Sequence, residues 1–179
     1  MTQVGSVYGE ALYTLARDEG LSVQILEQMR ALGESFSQEP GFLRLLGAPN
    51  LSKEERCGIV DECFRGKVHG YVLNFLKILT ENGSARHFGD CVDAYVELYN
   101  QDNGILSVTA VTALPLTDAQ KQKLTQKLDG LTGKKVQLTN RVDPAVLGGV
   151  RLDYDGKRVD DTVSHRLDAI RTTLKNTVL

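Results

Sequence analysis

The sequence predicts a multi-domain fold: an N-terminal all-α bundle of six helices followed by a small C-terminal α/β module with a hairpin and a terminal helix. Three observations predict it. Apolar residues recur at three- and four-residue steps up to about residue 100 and alternate at two-residue steps just beyond it. Between the two patterns stands the turn signal Asp102-Asn103-Gly104. Cut at that point, residues 1–103 hold 9 Lys+Arg against 15 Asp+Glu, a net −6, whereas 104–179 hold 12 against 8, a net +4. A change of sign at a change of period suggests two modules with different partners, 1–103 and 104–179.

Helix one carries Val4, Tyr8, Ala11, Leu12 and Leu15, and helix two carries Ile25, Met29, Leu32 and Phe36. Each set is the apolar stripe of an amphipathic helix. Gly20 and the breaker Glu39-Pro40-Gly41 bound them, and a short apolar piece, Phe42 to Leu46, follows. Ser52 and Glu55 have the spacing of a capping box, which starts a fourth helix with Ile59, Val60 and Cys63 inward and an end near Gly66. In helix five, Val72, Phe75, Leu76 and Leu79 form one stripe, while Tyr71, Asn74 and Ile78 form a neighbouring face that is also largely apolar. Two readings fit: a central helix packed on both sides, or a helix that lends its second face to a partner. Helix six, 84 to about 99, uses Phe88, Cys91, Val92, Tyr95 and Leu98.

In the second module, ILSVTAVTA (105–113) is β-branched and alternating, as a strand is. Thr117 and Gln120 form another capping box, opening a helix with the stripe Gln120, Leu124, Leu128 and Leu131, closed by Gly130 and Gly133. A second strand contains Val136, Leu138 and Val142. Asp155-Gly156 is a two-residue hairpin signal, and counting outward sets Tyr154 opposite Lys157, Asp153 opposite Arg158 and Leu152 opposite Val159. Asp160 and Asp161 then precede a terminal helix with Val163, Leu167, Ile170, Leu174 and Val178 on one stripe and Arg171 and Lys175 near its end.

The run from Leu147 to Asp168 holds five aspartates, and its turn, cross-strand and helix-start positions occupy four of them without a metal. It lacks the glutamate that ends a calcium loop. Gly148-Gly149 matches no phosphate-binding pattern and reads as a bend where backbones approach closely. Cys63, His69, His87 and Cys91 would be a conceivable zinc set, but core packing accounts for both cysteines and close paired spacing is absent. No nucleophile elbow or HExxH pair occurs, and His165 falls on a polar helix side beside Asp168. The expectation is no catalytic residue, no metal and no cofactor. Lys121, Lys123, Lys127, Lys134 and Lys135 cluster around one helix, which admits an RNA-binding alternative; a solvated helix face explains them as well. Tyr154 is the one aromatic of that module, too few for stacking on single strands.

With 41% apolar and 25% charged residues the composition is that of a soluble globular chain. No apolar run nears the roughly 18 residues of a membrane span. Glu10, Asp18 and Glu19 occupy a start that a transit peptide would keep free of acids, so no export or import signal is expected. Three cysteines without CxxC spacing fit reduced thiols.

Three stretches carry a family resemblance: Tyr8-Gly-Glu-Ala11-Leu12, the helix-five run Asn74-Phe-Leu-Lys-Ile-Leu-Thr-Glu-Asn-Gly83, and Asp143-Pro-Ala-Val-Leu-Gly-Gly-Val150 leading into Gly156-Lys-Arg-Val-Asp160. Over its whole length the chain resembles the δ subunit of the bacterial F-type ATP synthase, counterpart of the mitochondrial oligomycin-sensitivity-conferring subunit. Gly9 stands where the family usually has alanine, a substitution expected to loosen helix one; Asp161 replaces a usual glycine and Ser84 a usual arginine. The resemblance implies a non-catalytic stator subunit that resists rotor torque during proton- or sodium-driven ATP synthesis. It implies a peripheral place on the cytoplasmic face of the bacterial cell membrane, in a hetero-oligomeric complex, with no direct membrane insertion and no nucleic acid. The helical module would bind the α-subunit N-terminal helix, with Tyr8 and Ala11 of helix one and Asn74 and Ile78 of helix five at the family's groove positions. The second module would hold the C-terminal end of the b-subunit stalk.

Overall fold

A computed structural model describes residues 2–48, 50–154 and 156–162 of the chain. It is mostly helical, with a small mixed sheet, and divides into two compact units, Met1–Tyr99 and Asn100–Leu179.

The helices run in the order α1 (Gln3–Asp18), α2 (Ser22–Gln38), α3 (Pro40–Leu46), α4 (Lys53–Phe64), α5 (Gly70–Glu81) and α6 (Phe88–Asp102), whose last turn passes the end of the first unit at Tyr99, with a 3₁₀ turn at Ala85–His87 that occupies the expected first turn of helix six. The α2 and α5 stripes lie inward as their spacing predicts: Ile25, Met29, Leu32, Phe36, Val72, Phe75, Leu76 and Leu79 are all buried. Phe36 sits at the centre of an aromatic cluster, its ring 5.0 Å from Phe88, 5.5 Å from Phe42 and 6.0 Å from Phe64. Tyr13 packs edge-on to Tyr95 at 5.2 Å, and the Tyr95 hydroxyl donates to the Ser22 carbonyl. The Ser52–Glu55 capping box forms with both hydrogen bonds, at 2.8 and 3.2 Å.

Helix α1 departs from the expected stripe. Its buried residues are Gly5, Gly9, Leu12, Tyr13 and Ala16, and Val4, Ala11 and Leu15 are exposed. The physical reason is a close approach to α6: a Cβ on Gly5 would stand 2.3 Å from Asp90 Cβ, and one on Gly9 would stand 2.7 Å from both the Cys91 carbonyl oxygen and Ala94 Cβ. Glycine at position 9 therefore admits tighter packing of helix one.

The second unit has β1 (Ile105–Thr112), α7 (Asp118–Thr132), β2 (Lys135–Val142), a 3₁₀ turn at Pro144–Val146, β3 (Val150–Tyr154) and β4 (Lys157–Asp160), in the sheet order β2-β1-β3-β4. Helix α7 is the crossover that lets β1 and β2 run parallel, while β3 and β4 are antiparallel to their neighbours. The hairpin register is the one counted from the sequence, Tyr154 with Lys157, Asp153 with Arg158 and Leu152 with Val159. Gly156 takes φ +69°, as its turn requires. Leu106, Val108 and Val136 form the core of this unit, with Leu128, Leu138, Leu152 and Tyr154 packed against it. The α7 stripe is corrected in part. Leu128 packs inward, but Leu131 is 74% exposed, Gln120 is exposed in its capping box, and Gly130 lies inside the helix, which ends at Gly133. The terminal helix expected beyond Asp161 falls outside the described residues.

Gly148-Gly149 is a place of close backbone approach. A Cβ on Gly149 would stand 2.5 Å from the Asp161 carbonyl oxygen and 3.0 Å from Thr162 Cα.

Candidate partner-binding surface

Because α1 buries Gly5, Gly9 and Ala16 together with Leu12 and Tyr13, its other apolar residues Val4, Val7 and Leu15 face outward. Val4, Tyr8, Ala11 and Leu15 follow one another at four, three and four residues, one face of a helix. Leu15 is 41% exposed, Val4 38%, and adjacent Val7 60%. Helix α5 shows the same duplication: beside its buried stripe, Asn74 and Ile78 stand exposed one turn apart, Ile78 at 46%, with Tyr71 half-buried a turn before them.

The termini of α5 are pinned. At its start the His69 amide donates to Gln28 Oε1 at 2.8 Å, and the His69 ring accepts from the Tyr71 amide at 3.3 Å. Just past its end Asn82 Nδ2 donates to the Tyr8 hydroxyl at 3.0 Å, which ties α1 to α5. Of the four positions singled out in the sequence, Tyr8 is half-buried with its hydroxyl held, and Ala11, Asn74 and Ile78 are exposed. Among the described residues, none of the four hydrogen-bonds another; what places the two pairs is the Tyr8–Asn82 tie. Periodicity puts Val4, Ala11 and Leu15 on the core stripe, and the structure has all three at the surface. The signal that could have found them is Gly5, Gly9 and Ala16 recurring at helical spacing on the other side.

A polar flank adjoins α5. Lys77 Nζ lies 2.6 Å from Asp61 Oδ2, and Arg65 lies 3.0 Å from the same oxygen. The hydrogen bond from Lys77 holds the Asp61 carboxyl below its usual range against a desolvation effect in the opposite direction, with Arg65 adding to it. Desolvation, then the Glu81 carboxylate, pushes the Cys57 thiol up. Burial pushes Cys91 up to about 11, so that thiol is an inert packing group.

The remaining candidates have local partners. Among the described residues no three His, Cys, Asp or Glu side chains gather as a metal site. His69 caps α5, whereas His87 lies 3.6 Å from Asp90, which in turn accepts from the Thr2 hydroxyl at 2.6 Å. Asp153 accepts from Arg158 at 2.9 Å, and that hydrogen bond lowers its pKa. The Asp160 carboxylate accepts from the Thr162 amide at 3.0 Å. Lys123, Lys127, Lys134 and Lys135 are exposed, and Tyr154 is half-buried against the sheet core.

Compared with known proteins, residues 4–174 match the family model described as ATP synthase delta (OSCP) subunit. The chain is similar to the ATP synthase subunit delta of Alkaliphilus oremlandii (strain OhILAs), 31% identical over 171 residues, which cover 96% of this chain and 95% of that one. It is also similar to the ATP synthase subunit delta of Clostridioides difficile (strain 630), 28% identical over 176 residues, covering 98% and 97%. Its fold is like that of a chain in the Toxoplasma gondii mitochondrial ATP synthase hexamer, with a TM-score of 0.79 at 17% identity over 97% of this chain and 98% of that one.

Proposed function

Since the chain belongs to the ATP synthase delta (OSCP) subunit family, a structural and non-enzymatic component of the F-type ATP synthase stator, we propose that its outward α1 and α5 faces together bind the N-terminal helix of an α subunit. The six helices of 1–103 act as one bundle in this reading. Module 104–179 holds the C-terminal end of the b subunit, and the two attachments resist rotor torque at the cytoplasmic face of the bacterial membrane. Among the described residues no helix is long and apolar enough to cross a membrane, which agrees with attachment through partners.

The observation that carries the reading is the duplicated face of α5, where Ile78 is 46% exposed beside Asn74 while the opposite stripe fills the core. An amphipathic helix laid on such a face gains apolar anchors from Ile78 and Ala11 and a polar contact from Asn74. Titration calorimetry of the full chain with a peptide copying the α-subunit N-terminus of the same organism tests it. Ile78→Asp is expected to weaken binding by about tenfold or more, since the new charge must be desolvated in the complex. Helix content should stay unchanged, because the side chain is outside the core. Undiminished affinity in that variant, or its unfolding, sinks the assignment.

A further inference from the structure

We propose that the outer edge of β2 docks an extended, acidic partner segment as a fifth strand of the sheet. Among the described residues strand β2 is an edge, paired with β1 alone. The Lys135 amide donates to the Gly104 carbonyl at 3.0 Å and the Asp143 amide to the Thr112 carbonyl at 2.9 Å, so the odd-numbered backbone groups turn toward β1 and the even-numbered ones turn outward. Of the outward groups, the Val136 amide is taken by Asp129 Oδ1 at 2.7 Å. The outward amides and carbonyls of Leu138, Asn140 and Val142 have no partner among the described residues. The Asn140 side chain does not cap them, since it bonds the Ala110 carbonyl, the Thr112 hydroxyl and the Leu116 amide.

Edge strands are usually blunted by proline, a bulge, brevity or charged side chains. This one has only the charges: it runs eight residues without proline, in unbroken register with β1. Its charge selects the occupant. Lys134, Lys135 and Arg141 are exposed at its two ends, whereas the nearby acids are engaged locally, Asp129 on Val136 and Asp143 on the Ala145 amide. A second copy paired antiparallel about Leu138 would set Lys135 against Arg141 twice, a repulsive arrangement. An incoming strand with acids opposite Lys135 and Arg141, and apolar residues beside Leu138 and the 43% exposed Val142, satisfies both faces.

The test adds an eight-residue peptide of alternating Glu and Val, the length of β2, to the full chain and follows affinity and amide exchange by NMR. The expected result is slowed exchange at Leu138, Asn140 and Val142, and binding about tenfold or more tighter than that of a Lys–Val peptide. The double variant Lys135→Glu, Arg141→Glu, exposed at both positions, should reverse that preference. A Glu–Val peptide N-methylated on alternate residues, unable to pair its backbone, should not bind. Equal affinity for the two charges, binding of the N-methylated peptide, or slowed exchange in the absence of peptide as protein concentration rises would each overturn the proposal, the last by making a second copy the occupant. Failure of the α-subunit peptide to bind leaves these β2 amides untouched, so the two proposals fail separately.

Discussion

Gly9→Leu is expected to destabilise the helical unit by about 3 kcal/mol or more, because a side chain there meets the α6 backbone and has no route out. The Cys91 carbonyl oxygen and Ala94 Cβ both lie 2.7 Å from where the Cβ would be. Gly9→Ala is the finer comparison. Alanine gains about 1 kcal/mol of helix propensity over glycine, yet it must push α1 off α6, and overpacking costs about 1–3 kcal/mol. A net loss is therefore expected in denaturant unfolding followed by helical circular dichroism. A Gly9→Ala protein more stable than the parent would show that α1 does not bury this side.

A second large effect is expected from Gly149→Val, about 3 kcal/mol against the sheet unit. The residue sits at φ +82°, where a β-branched side chain is strained, and its Cβ would press on the Asp161 carbonyl oxygen at 2.5 Å. Amide exchange read by NMR separates the units: Val108 and Ala110 of β1 should lose protection, while Leu76 and Leu79 of α5 keep theirs. If β1 exchange is unchanged, the glycine pair is not a required close approach.

What the sequence discloses here follows from how strongly a local rule constrains each element. The hairpin was countable because Asp155-Gly156 fixes a two-residue loop, and every opposite pair then follows from the period of two, down to the Arg158–Asp153 ion pair. Helices α2 and α5 were readable because large apolar residues mark their core sides. The α1 stripe holds at Leu12 but not at Val4, Ala11 and Leu15, because the close approach to α6 calls for small residues and glycine carries no hydrophobic signal; the apolar residues on the outer side imitate a core stripe. The exposure of Leu131 at the end of α7 escaped the same rule, since periodicity fixes a face and not how far the sheet beneath it extends. Parallel pairing of β1 with β2 goes with the strand–helix–strand order of β1, α7 and β2, but their register is set by tertiary packing. For the surface, the duplicate face of α5 was visible as excess apolar area, whereas the matching face of α1 became visible only when its glycines were placed inside.

The most direct test of the α1/α5 assignment is a backbone NMR footprint of the full chain titrated with the α-subunit N-terminal peptide. The account predicts that the largest shift changes fall at Tyr8, Ala11, Asn74 and Ile78 and extend to Leu15, with none in β1 through β4. A footprint centred on the sheet unit, or on α3 and α4 away from α1, would contradict it.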